Sequence, residues 1–243
     1  MNIRTLYSEF QDDPLGLLNA LGGCYLRPPG GPLVGYAGTY SSEGKDLNFV
    51  GELYANFAKA ERFPAVITRW ARKILAKNQY ALASADVFLG APEGGKSLAD
   101  KFAMHVACEY VYPDIVETPV AGGRPKKDFK WGRHELESGK SVVIVEDVAN
   151  NFSTTAKLMK LVMDAGCTPV ALVCLLNRSS TVDDEFTCEY GKIPVLSLVR
   201  MPMPEYRQDD ACVAHDIASG NIVWKPRATQ EGWQRLMDAM AEA

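Results

Sequence analysis

The stretch VVIVEDVANNFSTTAKLMKLVMDAGCTPVALVCLLNRS, residues 142–179, decides how this chain folds. Four β-branched residues, Val142 to Val145, run into two carboxylates, Glu146 and Asp147, and then into turn formers and hydroxyls. An unbroken apolar run of that length suits a strand covered on both faces. From Ser153 to Ala165 the apolar residues recur at helical spacing, Gly166 stops the pattern, and a second apolar run follows at 169–176. Strand, loop, helix and strand in that order imply two parallel strands joined by a helical crossover.

The same alternation extends in both directions. VFLG (87–90) leads through APEGGK into a predicted helix at 97–108, and IPVLSLV (193–199) follows Gly191. The fold class is therefore α/β with a parallel sheet, and ligands of such sheets bind beyond the carboxyl ends of the strands. The loops at 90–96 and 146–153 are where chemistry is expected. Toward the N-terminus, Asp13-Pro14 opens a helix that Gly22-Gly23 ends, and the Gly-, Pro- and Ser-rich stretch 26–46 reads as an irregular hairpin. Helical spacing predicts one helix over Val50, Leu53, Tyr54, Phe57 and Ala58, and another after Pro64. Trp233, Leu236, Met237 and Met240 predict a C-terminal helix with a core-facing side. No linker divides the chain, so the expectation is one domain over 1–243, with flanking elements at 1–80, a core sheet at 81–200 and an extension at 201–243.

Composition narrows the function. With 243 residues, 47% of them hydrophobic and 23% charged, the chain has material for a sizeable core, which excludes disorder as its main state. A formal charge of −4 argues against nucleic-acid binding. No apolar run approaches the roughly 18 residues of a membrane helix, and the acidic N-terminus does not resemble a secretory leader, so a cytoplasmic protein is expected. Six cysteines without a CxxC pair and three scattered histidines do not suggest a metal site built from protein ligands alone. His105, among apolar neighbours on a helix, reads as structural.

Adjacent carboxylates at the end of a buried strand are costly unless something compensates their lost hydration. Sugar hydroxyls and a magnesium ion carried by a phosphorylated ligand suit them. Asn150, Asn151, Phe152, Ser153, Thr154 and Thr155 then form a turn at a helix N-terminus, an anion site by its amides and its dipole. Carboxylates for a ribose beside amides for a phosphate describe a pocket for a phosphorylated pentose. A competing pattern is present at Gly90 to Ser97, which satisfies GxxxxGK[ST]; an NTPase would set Lys96 on nucleotide phosphates, Ser97 on magnesium and Asp147 in the metal's outer shell.

Residues 142–179 resemble the PRPP-binding segment of type I phosphoribosyltransferases, most closely the orotate enzymes, where PRPP is the activated ribose phosphate. FLGAPEGGKSLADKFA resembles that family's pyrophosphate loop and GKIPVLSLV its late strand. The resemblance spans about 85–200, with weaker echoes at 15–80, where the family carries a hood over the base. It implies a parallel-sheet phosphoribosyltransferase fold with an N-terminal hood, and a homodimer that transfers phosphoribosyl from magnesium-loaded PRPP to a ring nitrogen of a nucleobase such as orotate. By the same resemblance Glu146 and Asp147 bind the ribosyl hydroxyls, and Asn150 to Thr155 hold the 5-phosphate. Glu93, Gly94, Gly95 and Lys96 approach the pyrophosphate. The basic stretch GGRPKKDFKWGR (122–133) takes the place of a mobile catalytic loop, with Lys127, Lys130 and His134 on the leaving-group side, and Arg178 matches a base-binding arginine.

Two departures stand out. The family's phosphate loop reads Asp-Val-x-Thr-Thr-Gly, whereas Asn150-Asn151-Phe152 stands here, a phenylalanine where a phosphate is expected. No register aligns Arg124, Lys126, Lys127, Lys130 and His134 with the whole basic motif of the orotate enzymes. A PRPP-binding regulator that does not transfer the group is therefore a second reading of the same fold.

Overall fold

A computed structural model describes residues 3–119, 125–226 and 228–242. The chain divides into two compact units, one formed by 1–14 and 57–202 and the other by 15–56 and 203–243.

The first unit is built on a six-stranded sheet. Its strands run, from one edge to the other, Glu185–Cys188, Gly191–Arg200, Thr168–Asn177, Ser141–Ala149, Val87–Gly90 and Glu109–Val111. All neighbours are parallel except the first pair, an antiparallel hairpin at the edge. The acid-bearing strand Ser141–Ala149 lies in the interior of this sheet, which accounts for its unbroken apolar run: Val142, Val143, Ile144 and Val145 are all fully buried. Helices Lys96–Val106 and Ser153–Asp164 contribute Leu98, Ala99, Phe102, Leu158, Met159 and Val162 to the core. The helix predicted after Pro64 spans Pro64–Leu82 and buries Val66, Ile67, Trp70 and Ile74 on one face.

A two-stranded hairpin, Asp114–Thr118 with Lys126–Lys130, belongs to the same unit. Its basic strand is not a bare loop, because Phe129, with Trp131 and Leu136 beyond it, packs against the central core. Arg124 lies outside the described residues.

The second unit holds a four-stranded sheet in the order Glu205–Arg207, Lys45–Gly51, Leu33–Ser42, Ile222–Trp224, with the last pair parallel. Tyr25, Val34, Tyr36, Val223 and Leu236 make one of its cores, and helix Gln230–Ala241 lays Trp233, Met237 and Met240 on it as the spacing predicted. Helix Pro14–Ala20 begins and ends where its proline and glycines predicted. The hairpin expected within 26–46 reaches further: Leu33–Ser42 turns at Glu43-Gly44, both at positive φ, and pairs back along Lys45–Gly51 with a register shift between Gly35 and Thr39.

The helix expected over Val50–Ala58 does not form. Val50 stands in a strand, facing Gly35 on one side and Tyr206 on the other, and Leu53–Ala55 pairs with Cys24–Leu26. Only Ala58–Glu61 is helical there. Ladders to three separate segments outweigh the weak local preference that the spacing expressed. Among the described residues no helix is long and apolar enough to cross a membrane.

Candidate active site

Strand Ser141–Ala149 carries the acid pair out of the core. Glu146 is 8% exposed, and its removal from water pushes its carboxyl well above the usual range. The neighbouring Asp147 charge pushes it the same way, and a backbone hydrogen bond at Asp147 opposes both weakly. Across the ladder from Glu146 stands Cys174, fully buried, whose thiol is pushed up by burial and then by Glu146. Asp147 is half-buried, and its Oδ1 accepts from the Val148 N–H at 2.8 Å. A buried carboxyl held well above its usual range beside a second carboxylate is a pattern of functional sites.

The loop after Val87–Gly90 is pressed against this strand. The Ala91 N–H donates to the Val145 carbonyl at 2.8 Å, and the Gly95 N–H donates to Ala91 at 2.9 Å. A methyl on Gly95 would lie 2.0 Å from the Val145 oxygen, and one on Gly94 would lie 2.2 Å from the Asp147 carboxylate. Glycine is thus a packing requirement at Gly95, where the obstacle is backbone, and at Gly94 it lets the loop lie against the Asp147 side chain, which brings the expected pyrophosphate loop onto the acid pair. The Pro92–Glu93 peptide within the loop is cis.

The phosphate turn resolves the awkward phenylalanine. Phe152 adopts φ 59° and ψ 15°, the left-handed conformation that glycine takes most cheaply, and caps helix Ser153–Asp164. Its ring turns inward, 3% exposed, and stacks on Phe186 with centroids 4.8 Å apart. The Asn151 Oδ1 accepts from the Ser153 N–H at 3.1 Å. Asn151 and Ser153 are exposed, Asn150 and Thr154 are half-buried, and Thr155 faces the core at 1% exposure. Glu146, Asp147, the turn and the glycine loop therefore share one end of the sheet.

Arg178 follows strand Thr168–Asn177 and is buried, and its backbone N–H donates to the Ala149 carbonyl at 2.9 Å. Asn177, fully buried, shapes this turn by donating to the Val182 and Asp183 carbonyls at 3.1 and 2.8 Å and accepting from the Ser179 N–H.

The basic side chains divide. Lys96 pairs with Glu93 at 2.9 Å, and its Nζ lies 4.4 Å from the centre of the Tyr112 ring. His134 also meets that ring, at 4.3 Å between centroids, and Tyr110 stands 5.7 Å from Tyr112. Lys96 and His134, from separate segments, therefore meet at one aromatic residue. Lys127 instead pairs with Glu117 at 3.4 Å across its hairpin, where its carbonyl accepts from the Lys157 ammonium, and Lys130 stands exposed opposite Asp114. Tyr110 and Tyr112 were not among the expected site residues. Their alternation in EYVYP was the available signal, and it reads equally well as an ordinary strand face.

The GxxxxGK[ST] pattern is put to other use. Ser97, which a nucleotide loop would aim at a metal, donates its hydroxyl to Glu61 at 3.0 Å.

A parallel sheet with an acid pair at one strand end, beside a turn at a helix N-terminus, is an arrangement suited to a sugar phosphate. The model of the phosphoribosyl transferase domain matches residues 54–193, and the chain belongs to that family. An orotate phosphoribosyltransferase of Caulobacter vibrioides is 28% identical over 153 residues, 63% of this chain and 70% of that protein. The crystal structure of orotate phosphoribosyltransferase from Aeropyrum pernix superposes with a TM-score of 0.50 at 18% identity, covering 76% of this chain and 91% of that one. The protein is a phosphoribosyltransferase with the α/β fold and mainly parallel central sheet expected from its sequence.

Proposed function

We propose that the protein transfers 5-phosphoribosyl from PRPP to a ring nitrogen of a pyrimidine base of the orotate kind, releasing pyrophosphate. The observation that carries this reading is the conformation of Phe152. A residue at φ 59° with its ring in the core leaves the solvent side of the turn to backbone and small polar groups, so the departure from the family's glycine does not fill the phosphate position. The choice of an orotate-like base is supported by the relative in Caulobacter vibrioides, which carries the orotate name.

In this reading Glu146 and Asp147 accept hydrogen bonds from the ribose hydroxyls, and Asn150 to Thr155 receive the 5-phosphate. The backbone of Glu93, Gly94 and Gly95, with the Lys96 ammonium, faces the pyrophosphate, and Arg178 faces the base. As the bond from the anomeric carbon to pyrophosphate breaks, positive charge grows on that carbon and negative charge on the leaving oxygen. Lys96 and His134, with Lys127 and Lys130 from the hairpin of the neighbouring copy, then stabilise the leaving group, while the base nitrogen bonds to the anomeric carbon and its proton passes to the released pyrophosphate or to water. Among the described residues no three His, Cys, Asp or Glu side chains converge on one point. The oxygen-only chemistry of the acid pair suits a hard cation that arrives on the substrate and keeps most of its ligands there. Magnesium held in that way would lower the charge of the departing pyrophosphate. A homodimer in which the basic hairpin serves the neighbouring copy completes the reading.

Pyrophosphate release from PRPP and magnesium, measured against orotate, uracil, adenine and hypoxanthine, tests it. Release with orotate alone is the expected result. Release with another base moves the acceptor, and PRPP binding without release from any base identifies the regulator. That second reading is favoured by one contact, the Asn151 side chain already holding the Ser153 amide.

A further inference from the structure

Lys96 and His134 come from segments far apart in the chain, the first from the glycine loop after Val87–Gly90 and the second from beyond the basic hairpin. They meet at Tyr112, which follows the edge strand Glu109–Val111. The Lys96 Nζ lies 4.4 Å from the centre of that ring and the His134 ring 4.3 Å from it, tilted by 55°. Tyr110 backs the group, 5.7 Å from Tyr112 and 6.2 Å from His134. The only ion-pair partner seen for Lys96 among the described residues is Glu93, whose side chain is 76% exposed. An exposed carboxylate is a weak tether, since water and salt compete for both partners. An aromatic face attracts an ammonium without neutralising it, so the ring fixes the cation while leaving its charge available to an anion.

We propose that Tyr112 is a positioning residue, which holds the Lys96 ammonium and the His134 imidazole together on the side of the site where pyrophosphate departs. This rests on the proposed function for the ligand, and on the three contacts of the Tyr112 ring, with Lys96, His134 and Tyr110, for the geometry. It assigns the role to the aromatic face and not to the phenolic hydroxyl. Removing the face frees Lys96 to follow Glu93 into solvent and separates His134 from the glycine loop.

The test compares Tyr112→Leu and Tyr112→Phe with the unaltered protein, using calorimetric titration with magnesium pyrophosphate and NMR of the His134 ring protons. Tyr112→Leu is expected to weaken pyrophosphate binding about fivefold to tenfold, the range of a partly desolvated cation and ring contact. It should also move the His134 signals away from their position in the unaltered protein, since only the more distant Tyr110 ring remains beside them, and abolish their response to pyrophosphate. Tyr112→Phe should retain binding, signal position and response. Equal binding by Tyr112→Leu and the unaltered protein overturns the role of Tyr112 alone, as does a Tyr112→Phe protein that behaves like Tyr112→Leu. Absence of pyrophosphate binding by the unaltered protein overturns the proposed assignment of this site to the PRPP reaction, and the His134 shifts between variants then still report whether the ring contact exists.

Discussion

Two loops leave the carboxyl ends of neighbouring strands, and they meet the same demand for close approach by opposite means. The loop at 91–95 uses glycine because there is no room: added methyl groups would strike the Val145 carbonyl and the Asp147 carboxylate. The turn at 150–155 uses a phenylalanine at positive φ, where the demand is conformational and the side chain has a pocket to fill against Phe186. A glycine can thus be required for its missing volume or for its backbone freedom. Only the second requirement can be met by a large residue, at the cost of a strained conformation offset by burial.

That distinction can be broken at Phe152 first. Phe152→Ala keeps the left-handed strain and loses the stacked ring, so it should destabilise the protein by about 4 kcal/mol in urea unfolding. Phe152→Gly relieves the strain and should cost about 1 kcal/mol less, while leaving PRPP affinity near that of the unaltered protein. Equal losses in the two variants would mean that conformation plays no part. In the other loop, Gly95→Ala drives a methyl into backbone that cannot swing aside, and a loss of about 3 kcal/mol is expected in the same measurement. A fully stable Gly95→Ala protein would remove volume as the reason for that glycine.

The acid pair sharpens the comparison, because the two loops flank it. Asp147→Asn should weaken PRPP binding by ~1–3 kcal/mol in calorimetry, the scale of a charged hydrogen bond lost in a partly buried site. Unchanged affinity would remove Asp147 from the pocket. The smallest effect is expected at Glu146. Its carboxyl holds its proton to higher pH in the folded state than in the unfolded chain, so its favourable contribution is complete at acid pH and declines as pH rises above the ordinary carboxylate range. Melting temperatures followed from pH 4 upward should therefore show a decline that is shallower in Glu146→Gln, which should also be the more stable protein near neutrality. Parallel pH profiles for the two proteins would count against a Glu146 carboxyl that burial holds above its usual range.

Much of the first unit was legible because its determinants are local. Val142–Val145, the Gly166 stop and the run 169–176 each signal their element within a few residues, and the acid pair announces itself by ending a buried strand. The second unit was harder to read. Val50 obeyed helical spacing but lies in a ladder between Gly35 and Tyr206, and Ile222–Trp224 pairs with a strand near the other end of the chain. No window of sequence contains such partners. The basic stretch was legible as charge, while the hairpin with Asp114–Thr118 and the packing of Phe129 and Trp131 were not, because both depend on partners outside it. Phe152 was misjudged for a different reason: its identity suggested a ring beside a phosphate, and only its backbone angles direct that ring inward.

The pairing of Ile222–Trp224 with Leu33–Ser42 has a consequence for the order of events during synthesis. The first of these strands to emerge from the ribosome has to wait for the whole of 57–202 before its parallel neighbour exists. At an elongation rate of roughly 5–20 residues per second, that delay is on the order of ten seconds, far longer than hairpin formation takes. The unit carrying the acid pair, apart from its first fourteen residues, is continuous in the chain and meets its partners as it emerges. The nascent polypeptide therefore has a built-in schedule, in which the unit carrying the acid pair is finished while the other unit still exposes an open sheet edge to the cell's chaperones.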